Sequence, residues 1–381
     1  VTIGQGQRLK TMVVYRDKVS SVKDRFIKRV LAAVLELEQL LGHDELDIEF
    51  ALDAKGILHI FQVRPVVASA SGARMASDAT IDLVLRRAEA DFKLWQTPGV
   101  AMVGDRTILA NMPDWNPAEI IGVKPRRLAF SLYQYLITND VWAQQRAEFG
   151  YRDVRPCPLI VGVAGHPYVD VRASFNSFIP AAVPERLAER LVNHYLDRLE
   201  KHPHLFDKVE FDIAFTCAFF DFDQQAARLR DAGFSPAEIK TLQQALVSVT
   251  NRGMQRVGQD LANIKLLDRR FQLLKVAALG PLTRAHALLE DCKRFGTLPF
   301  AHLARNGFVA ITVLRSMVRV DILSEDQLHA FLNSLRTVAG TLEADAQRVA
   351  QGKLAWPAFV ETYGHLRPGT YDILSASYGE Q

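Results

Sequence analysis

The stretch that decides the fold of the amino-terminal region runs from Asp47 to Pro65 and reads DIEFALDAKGILHIFQVRP. Two β-prone runs flank a short loop that contains Gly56, and a glycine can take the positive φ that such a loop often requires. We therefore predict a β-hairpin here. Its predicted pairs are Leu52 with Ile57, Glu49 with Ile60 and Asp47 with Gln62.

The two faces of this hairpin differ in polarity, because side chains alternate across a strand. One face collects Asp47, Glu49, Gln62 and Arg64, and the other collects Ile48, Phe50, Leu52, Ile57, Phe61 and Val63. Oxygen ligands of this kind hold Mg²⁺, and a guanidinium beside them binds phosphate, as a site for a metal–nucleotide complex requires. The solvated face of an edge hairpin has the same pattern, so the spacing alone leaves both interpretations open.

The composition is that of an ordinary globular protein. The chain has 381 residues, of which 49% are hydrophobic, so there is room for two or three domains. The formal net charge of +3 gives no reason to expect a nucleic-acid or membrane partner. The cysteines, Cys157, Cys217 and Cys292, form no C-x-x-C pair, and no apolar run reaches the length of a membrane span. We predict a reduced, cytoplasmic protein.

The hairpin sequence resembles the closing motif of the ATP-grasp nucleotide-binding domain in the phosphoenolpyruvate synthase and pyruvate phosphate dikinase family. That motif reads roughly D-I-E-[WF]-A, a turn, then L-Q-[AVS]-R-P, and residues 47–51 and 61–65 are similar to it. The resemblance implies ATP and Mg²⁺ as cofactors, and it directly covers residues 1–67. The implied roles place Glu49 and Gln62 at the metal and phosphates, Arg64 on phosphate, and Asp47 at the aspartate of the motif.

The resemblance also implies an enzyme of three parts: an ATP-grasp domain, a substrate-side domain and a mobile domain whose histidine carries phosphate. ATP phosphorylates that histidine, which then phosphorylates pyruvate or another hydroxyl compound. The Gly-rich motif around the phosphohistidine does not occur in this sequence, and Val1 opens inside an ATP-grasp-like segment. We therefore expect a fragment that needs the rest of the ATP-grasp domain and the phosphohistidine domain, and that is inactive by itself.

We predict an α+β, mostly α-helical fold in four segments. These are residues 1–67, the carboxy-terminal part of an ATP-grasp domain; 68–99, a linker and a helix; 100–180, a mixed α/β segment of the middle domain; and 181–381, a helical substrate-side domain. The first segment contains a strand near 11–15 and a helix from about Asp24 to Leu41 that ends at Gly42. A further helix runs from about 78 to 96.

The stretch 107–122 is predicted as a loop that leads into a short helix, where Asn116 can cap and Pro117 suits the first helical position. A comparable stretch opens the substrate-facing domain of the family. The resemblance therefore makes Asn111, Asn116 and Glu119 candidates for substrate contacts, with capping as the favoured role of Asn116.

Residues 158–172 predict two short strands joined through the tripeptide GHP. Alternation along the second strand places Tyr168, Asp170 and Arg172 on one face. We take Tyr168 and Arg172 as candidate substrate residues. A half-buried sheet with one solvated side explains the same alternation.

Residues 181–364 are predicted to be almost wholly helical, with helix starts at Pro184 and at capping boxes that begin with Ser235 and Ser324. Phenylalanines crowd the stretch 211–222. Aromatic residues at this spacing usually pack a core, and a pocket for a bulky apolar ligand is the alternative.

Residues 363–373 resemble the Gly-His-Arg-x-x-x-Glu-x-Asp segment that closes the middle domain in rifamycin phosphotransferases and related synthases. Leu366 separates the His from the Arg here, and Thr370 falls near the position of the usual Glu, so the match is imperfect. His365 and Arg367 can bind an anion or a substrate hydroxyl. A rigid turn that ties the carboxy-terminus to the helices is an equal alternative.

Three functions remain open. The first is part of a phosphoenolpyruvate synthase-like, ATP-dependent phosphotransferase with pyruvate or another hydroxyl compound as acceptor. The second is a rifamycin-type antibiotic phosphotransferase, in which the stretch 211–222 lines the acceptor pocket and Phe215→Ala weakens binding. The third is a non-catalytic module for ligand binding or protein interaction.

Overall fold

The computed structural model describes residues 14, 19, 22–42, 46–53, 55–65, 77–97, 99–111, 113–115, 121–366 and 376–380, without the side chains of Arg64 and Pro65. Helices account for 64% of the structure and strands for 8%, which confirms the predicted mostly helical α+β class. The predicted strand near 11–15 lies outside the described residues apart from Val14, and the linker at 68–76 lies wholly outside them.

The helices are α1 Arg25–Leu41, α2 Asp78–Trp95, α3 Arg127–Tyr133, α4 Val141–Phe149, α5 Val171–Phe178, α6 Glu185–Lys201, α7 Phe222–Gln225, α8 Ala227–Asp231, α9 Pro236–Val276, α10 Pro281–Asp291, α11 Leu298–Arg319, α12 Glu325–Ser334, α13 Val338–Ala350 and α14 Trp356–Tyr363. The strands are β1 Leu46–Leu52, β2 Leu58–Pro65, β3 Leu109–Ala110, β4 Ile160–Val163 and β5 His166–Asp170. Short π-helical turns are Gln134–Thr138, Val209–Ile213 and Cys292–Thr297.

The chain divides into two compact units. One consists of residues 1–75 together with 335–381, and the other of residues 76–334. The four-segment division and the ATP-grasp assignment of the first segment stay predictions. Within the described residues, no helix combines the length and the apolar character that crossing a membrane would require.

Helix α1 of the first unit confirms the predicted helix and both of its ends. The Asp24 carboxylate accepts hydrogen bonds from the backbone N–H groups of Phe26 and Ile27, which a helix start otherwise leaves unpaired. At the other end, Gly42 takes a left-handed φ of 65° and donates its N–H to the carbonyl of Glu38. Both ends were visible in the sequence because each cap is a local interaction.

The predicted hairpin is present, but the predicted pairing of its strands is wrong. The observed pairs include Leu52 with Leu58, Phe50 with Ile60, Glu49 with Gln62 and Asp47 with Arg64. The register shifts between Phe50 and Glu49, which leaves Phe61 without a partner as a β-bulge. Phe61 is 70% exposed.

The observed register changes which side chains share a face, because the loop is one residue longer than predicted and Phe61 adds a further shift. Opposed residues lie on the same side of a ladder, so Ile60 joins Phe50 on the apolar face, where the predicted register would have set it beside Glu49. His59 lies opposite Ala51 and therefore shares the polar face with Glu49. The extra residue thus restores the separation of polar and apolar residues that a uniform register would have mixed.

The second unit contains a small antiparallel sheet in the order β3, β5, β4. The two strands predicted within 158–172 are β4 and β5, and the turn between them is made by Ala164 and Gly165, with φ values of 53° and 85°. The predicted extension of the second strand to Arg172 is wrong. Asp170 ends the strand because its carboxylate accepts the N–H of Ala173 and starts α5.

The helices of the second unit enclose its main core, in which Phe175, Phe178, Tyr195 and Leu246 are among the buried residues. The long helix α9 packs on α11, and α11 packs on α4. All the marked helix starts are confirmed. Ser235 forms a complete capping box at α9, the backbone and side chains of Ser324 and Gln327 bond reciprocally before α12, and α6 begins directly after Pro184.

Candidate functional site

The polar face of the hairpin brings together side chains that are far apart in the sequence. Glu49 lies directly opposite Gln62, and Asp47 directly opposite Arg64. Opposed residues have Cβ atoms about 5 Å apart and project to the same side. Glu49 and Gln62 are exposed and Asp47 is half-buried, whereas the side chain of Arg64 lies outside the described residues. Two predicted metal ligands are therefore adjacent and open to solvent.

The turn of the hairpin is held by Asp53. Its carboxylate accepts hydrogen bonds from the N–H groups of Ile57 at 2.8 Å and Lys55 at 2.9 Å, and lies 3.2 Å from His59 Nε2. These contacts, the Ile57 bond above all, lower the pKa of Asp53. Arg29 of α1 donates to the carbonyl of Gly56 in the same turn. Asp53 is thus engaged in shaping the loop.

The sequence interpretation missed His59. The predicted register placed it opposite Phe50 on the apolar face, whereas the observed loop is one residue longer, so that Leu52 pairs with Leu58 and His59 lies opposite Ala51 on the polar face. The residue types around the turn did not indicate this longer loop.

The donor set of this face fits a magnesium ion that arrives with a nucleotide. Mg²⁺ keeps several waters and is commonly bound through one or two protein oxygen ligands together with substrate phosphates. Glu49 and Gln62 supply such ligands. Among the residues that the structure describes, no three His, Cys, Asp or Glu side chains gather to hold a metal by themselves.

The guanidinium of Arg172 binds the carboxyl end of helix α2. Arg172 is 1% exposed, and its guanidinium donates to the carbonyl oxygens of Trp95 at 2.6 Å, Gln96 at 2.8 Å and Thr97 at 3.1 Å. A helix leaves such carbonyls unpaired, and its carboxyl end favours a cation. Burial lowers the pKa of Arg172, but a guanidinium stays charged at neutral pH. Its contacts are structural, and a substrate contact stays a prediction.

The other two residues of the predicted polar face, Asp170 and Tyr168, differ in their burial. Asp170 is buried, and besides starting α5 it accepts the Thr107 hydroxyl at 2.5 Å. Tyr168 is half-buried on β5, opposite Val161. The structure therefore leaves Tyr168 as the residue of this face that still reaches the surface.

Backbone hydrogen bonds join residues 378–379 to the residues that follow α14. The N–H of Tyr378 donates to the carbonyl oxygen of Leu366 at 2.9 Å, and the N–H of Gly379 donates to the carbonyl oxygen of Gly364 at 2.9 Å. His365 between these anchors is exposed. These bonds connect residues 378–379 to the end of α14, whereas the predicted turn at Pro368 and Gly369 lies outside the described residues. A substrate role for His365 stays a prediction.

Of the remaining candidate residues, one lies within the part of the chain that the structure describes. Asn111 follows β3 and is exposed. Asn116, Glu119 and Arg367 lie outside the described residues. Their predicted roles are unchanged.

Asp114, which the sequence interpretation passed over, anchors the loop that follows β3. Arg146 donates to its two carboxylate oxygens at 2.5 and 2.7 Å, and the Ser174 hydroxyl donates at 2.5 Å. Burial by itself raises the pKa of Asp114, but Arg146, Ser174 and Arg305 together outweigh burial and the pKa is lowered. Asp114 has a left-handed φ of 65°, which Asp tolerates better than most residues.

An apolar cavity of about 400 Å³ lies between α9, α11 and the segment before α7. Its wall includes Phe219, Phe220, Met254, Val257, Val309 and Val313. Thr250 and Asn306 also line it, and their side chains are already hydrogen-bonded to backbone groups. Such a lining favours an uncharged ligand that is largely hydrocarbon.

The phenylalanine-rich stretch divides between core and cavity. Phe215 and Phe222 are core residues with 2% and 3% exposure, whereas Phe219 and Phe220 line the cavity. Phe211 packs on Phe308 with ring centroids 5.7 Å apart. A ligand in the cavity would therefore meet Phe219 and Phe220.

A buried charge cluster joins α4, α9 and α11. His302 Nδ1 lies 3.0 Å from an oxygen of Asp260, and its Nε2 lies 3.4 Å from an oxygen of Glu148. Arg256 pairs with Glu148 at 2.5 Å, and Phe149 stacks on the imidazole. The hydrogen bond with His302 is the largest cause that lowers the pKa of Glu148. His302 and Asp260 are fully buried, whereas the side chains of Glu148 and Arg256 are 29% and 30% exposed, and the cluster joins three helices.

Compared with protein-family models, with curated proteins and with solved structures, the chain gives no match in any of the three comparisons.

Proposed function

We propose that the chain is part of an ATP-dependent phosphotransferase that resembles phosphoenolpyruvate synthase, and that its hairpin binds a magnesium–nucleotide complex. The observation that supports this proposal is the β-ladder, which sets Glu49 opposite Gln62 and Asp47 opposite Arg64. The four residues that carry the resemblance thereby share one face, and the two oxygen ligands among them are open to solvent.

The protein's own contribution at this face is to position oxygen atoms. The strands fix the spacing of Glu49 and Gln62, and the turn held by Asp53 keeps the two strands in register. When bound, Mg²⁺ neutralises the charge of the transferred phosphoryl group. The acceptor in this proposal is pyruvate or another hydroxyl compound, and a phosphohistidine domain carries the phosphoryl group to it.

Nucleotide binding tests the proposal directly. We expect the chain to bind Mn²⁺-ATP, followed by the electron paramagnetic resonance of Mn²⁺ as a probe for Mg²⁺. Loss of one contact with a charged partner costs about 1.5–3 kcal/mol, so Glu49→Gln should weaken binding about 10- to 100-fold.

Glu36→Gln is the matched control, because Glu36 is an exposed carboxylate on α1 of the same unit. Its affinity should equal that of the wild type. A Glu49→Gln variant that binds Mn²⁺-ATP as tightly as the wild type would refute the proposal.

The apolar cavity favours a second candidate, a rifamycin-type antibiotic phosphotransferase. A hydrocarbon-lined space of about 400 Å³ suits part of a bulky apolar acceptor better than it suits pyruvate. Binding of a rifamycin, measured by calorimetry, should be weakened by Phe220→Ala. Phe308→Ala is the control, since Phe308 is a similarly exposed phenylalanine that does not line the cavity. Equal weakening by both variants would count against this candidate.

A further inference from the structure

Two guanidinium groups meet at one backbone carbonyl in the second unit. Arg198 of α6 donates its Nε–H to the carbonyl oxygen of Asp212 at 3.0 Å, and Arg228 of α8 donates from Nη1 to the same oxygen at 2.7 Å. That oxygen lies in the π-helical turn Val209–Ile213. Because both guanidinium groups donate to the same carbonyl oxygen, their two positive charges lie close together.

No carboxylate neutralises this pair directly. Among the described residues, neither Arg198 nor Arg228 has an acidic side chain within ion-pairing distance. Burial is the largest cause that lowers the pKa of Arg228, and the charge of Arg198 acts in the same direction against the smaller effects of Tyr195 and of the Asp212 carboxylate. The net result is a pKa of about 10 for Arg228. A half-buried cation without an acidic partner is costly and is uncommon in protein interiors.

His194 lies one helical turn before Arg198 on the same face of α6 and adds a third nitrogen group. Its Nε2 is buried and has no hydrogen-bond partner among the described residues. Burial lowers the pKa of His194 to about 4, and the charges of Arg228, Arg198 and Lys201 act in the same direction against Asp197. The imidazole is therefore neutral at neutral pH and can donate one N–H.

Capping of the π-helical turn explains only part of this arrangement. It uses one N–H from each guanidinium, the Arg198 Nε–H and one Arg228 Nη1–H. The Nε of Arg228 is buried and has no hydrogen-bond partner among the described residues. The guanidinium lies over the ring of Phe215, with its Cζ 4.0 Å from the ring centroid, and this contact restricts its orientation. Planar forks held in this way suit the oxygen atoms of carboxylates and phosphates.

We propose that Arg198, Arg228 and His194 form a binding site for an oxyanion, such as the phosphate or carboxylate group of a small molecule. An oxyanion here supplies the negative charge that the pair lacks and accepts the unused N–H groups. The site is built within the second unit, and it does not depend on the hairpin or on the proposed phosphotransferase.

Calorimetric titration of the full chain tests this site with three probes: inorganic phosphate, glycerol phosphate and citrate. We expect saturable binding of at least one probe at constant ionic strength. Arg198→Gln and Arg228→Gln should each weaken that binding about tenfold or more, as loss of a charge-assisted contact predicts. The preferred probe identifies the source of the oxyanion.

Arg230→Gln is the matched control, because Arg230 is an exposed arginine on α8 that also bonds to a backbone carbonyl. It should bind as the wild type does. Circular dichroism verifies the fold of each variant, and Arg198→Gln provides the decisive comparison if the more buried Arg228 proves necessary for folding. Absence of saturable binding for all three probes, or equal binding by the wild type and Arg198→Gln, would overturn the proposal and leave the pair as a cap.

Discussion

Replacing Arg172 with methionine should loosen the contact between helix α2 and the rest of the second unit, to which α2 belongs. Methionine retains much of the buried aliphatic stem, so the main loss is the set of three hydrogen bonds to the carbonyls of Trp95, Gln96 and Thr97. A hydrogen bond to a charged group contributes about 1.5–3 kcal/mol, and bonds that share one guanidinium are not additive. We expect the free energy of unfolding to fall by about 3–5 kcal/mol, because the bonds to one guanidinium are lost together and the three carbonyl oxygens are left without this partner.

Two measurements test the expected loss of stability. Urea unfolding monitored by circular dichroism gives the change in the free energy of unfolding. Hydrogen exchange with mass spectrometry locates it, because residues 78–95 should exchange faster than in the wild type while residues 236–276 of α9 serve as an internal reference. Arg106→Met is the matched control. Arg106 pairs with Asp197 and Glu200 at the surface, where such contacts contribute about 1 kcal/mol or less.

The result that would refute this reasoning is an Arg172→Met variant with wild-type stability and unchanged exchange in residues 78–95. If such a variant instead lost affinity for a substrate, Arg172 would have the ligand role that the sequence suggested. Loss of stability without that loss of affinity assigns it to the helix end.

Three further predictions rest on other contacts. Since His302 lowers the pKa of Glu148 below its ordinary 4.5, the stabilisation is present above that pH and is lost as the pH falls through the lowered value. Urea midpoints at about pH 6 and about pH 4 should therefore differ less in Glu148→Gln than in the wild type. Ser235→Ala should cost about 1 kcal/mol in thermal unfolding, because it removes the capping box of α9. Gly253→Ala should cost about 1–3 kcal/mol in urea unfolding, since its Cβ would lie 2.7 Å from an aromatic ring, whereas Gly258→Ala meets no atom within 4 Å and should not destabilise.

Helix ends and turns were predictable because their causes are local. Asp24, Gly42, Ser235 and Ser324 act on backbone groups within a few residues of themselves. The mostly helical α+β class follows from the same local patterns together with hydrophobic periodicity.

The hairpin shows where prediction from local pattern stopped. Its existence and its polar face followed from alternation, but the pairing did not, because the loop is one residue longer than predicted and the bulge at Phe61 shifts the pairs beyond it by one more residue. The same two strands could pair with the bulge or in a uniform register, and these two ladders differ in which side chains share a face. The packing of the apolar face decides between them, and that packing involves both strands at once.

The sequence by itself determined the marked helix starts, the end of α1, the hairpin and the residues that carry the family resemblance. Only the tertiary structure decided the partners of charged side chains. Arg172 meets the end of α2, His302 meets Asp260, and Arg198 meets Arg228, in each case across a wide gap in the chain. Such pairings depend on how the elements pack, because the energy of a charge is set by its burial and its neighbours in space.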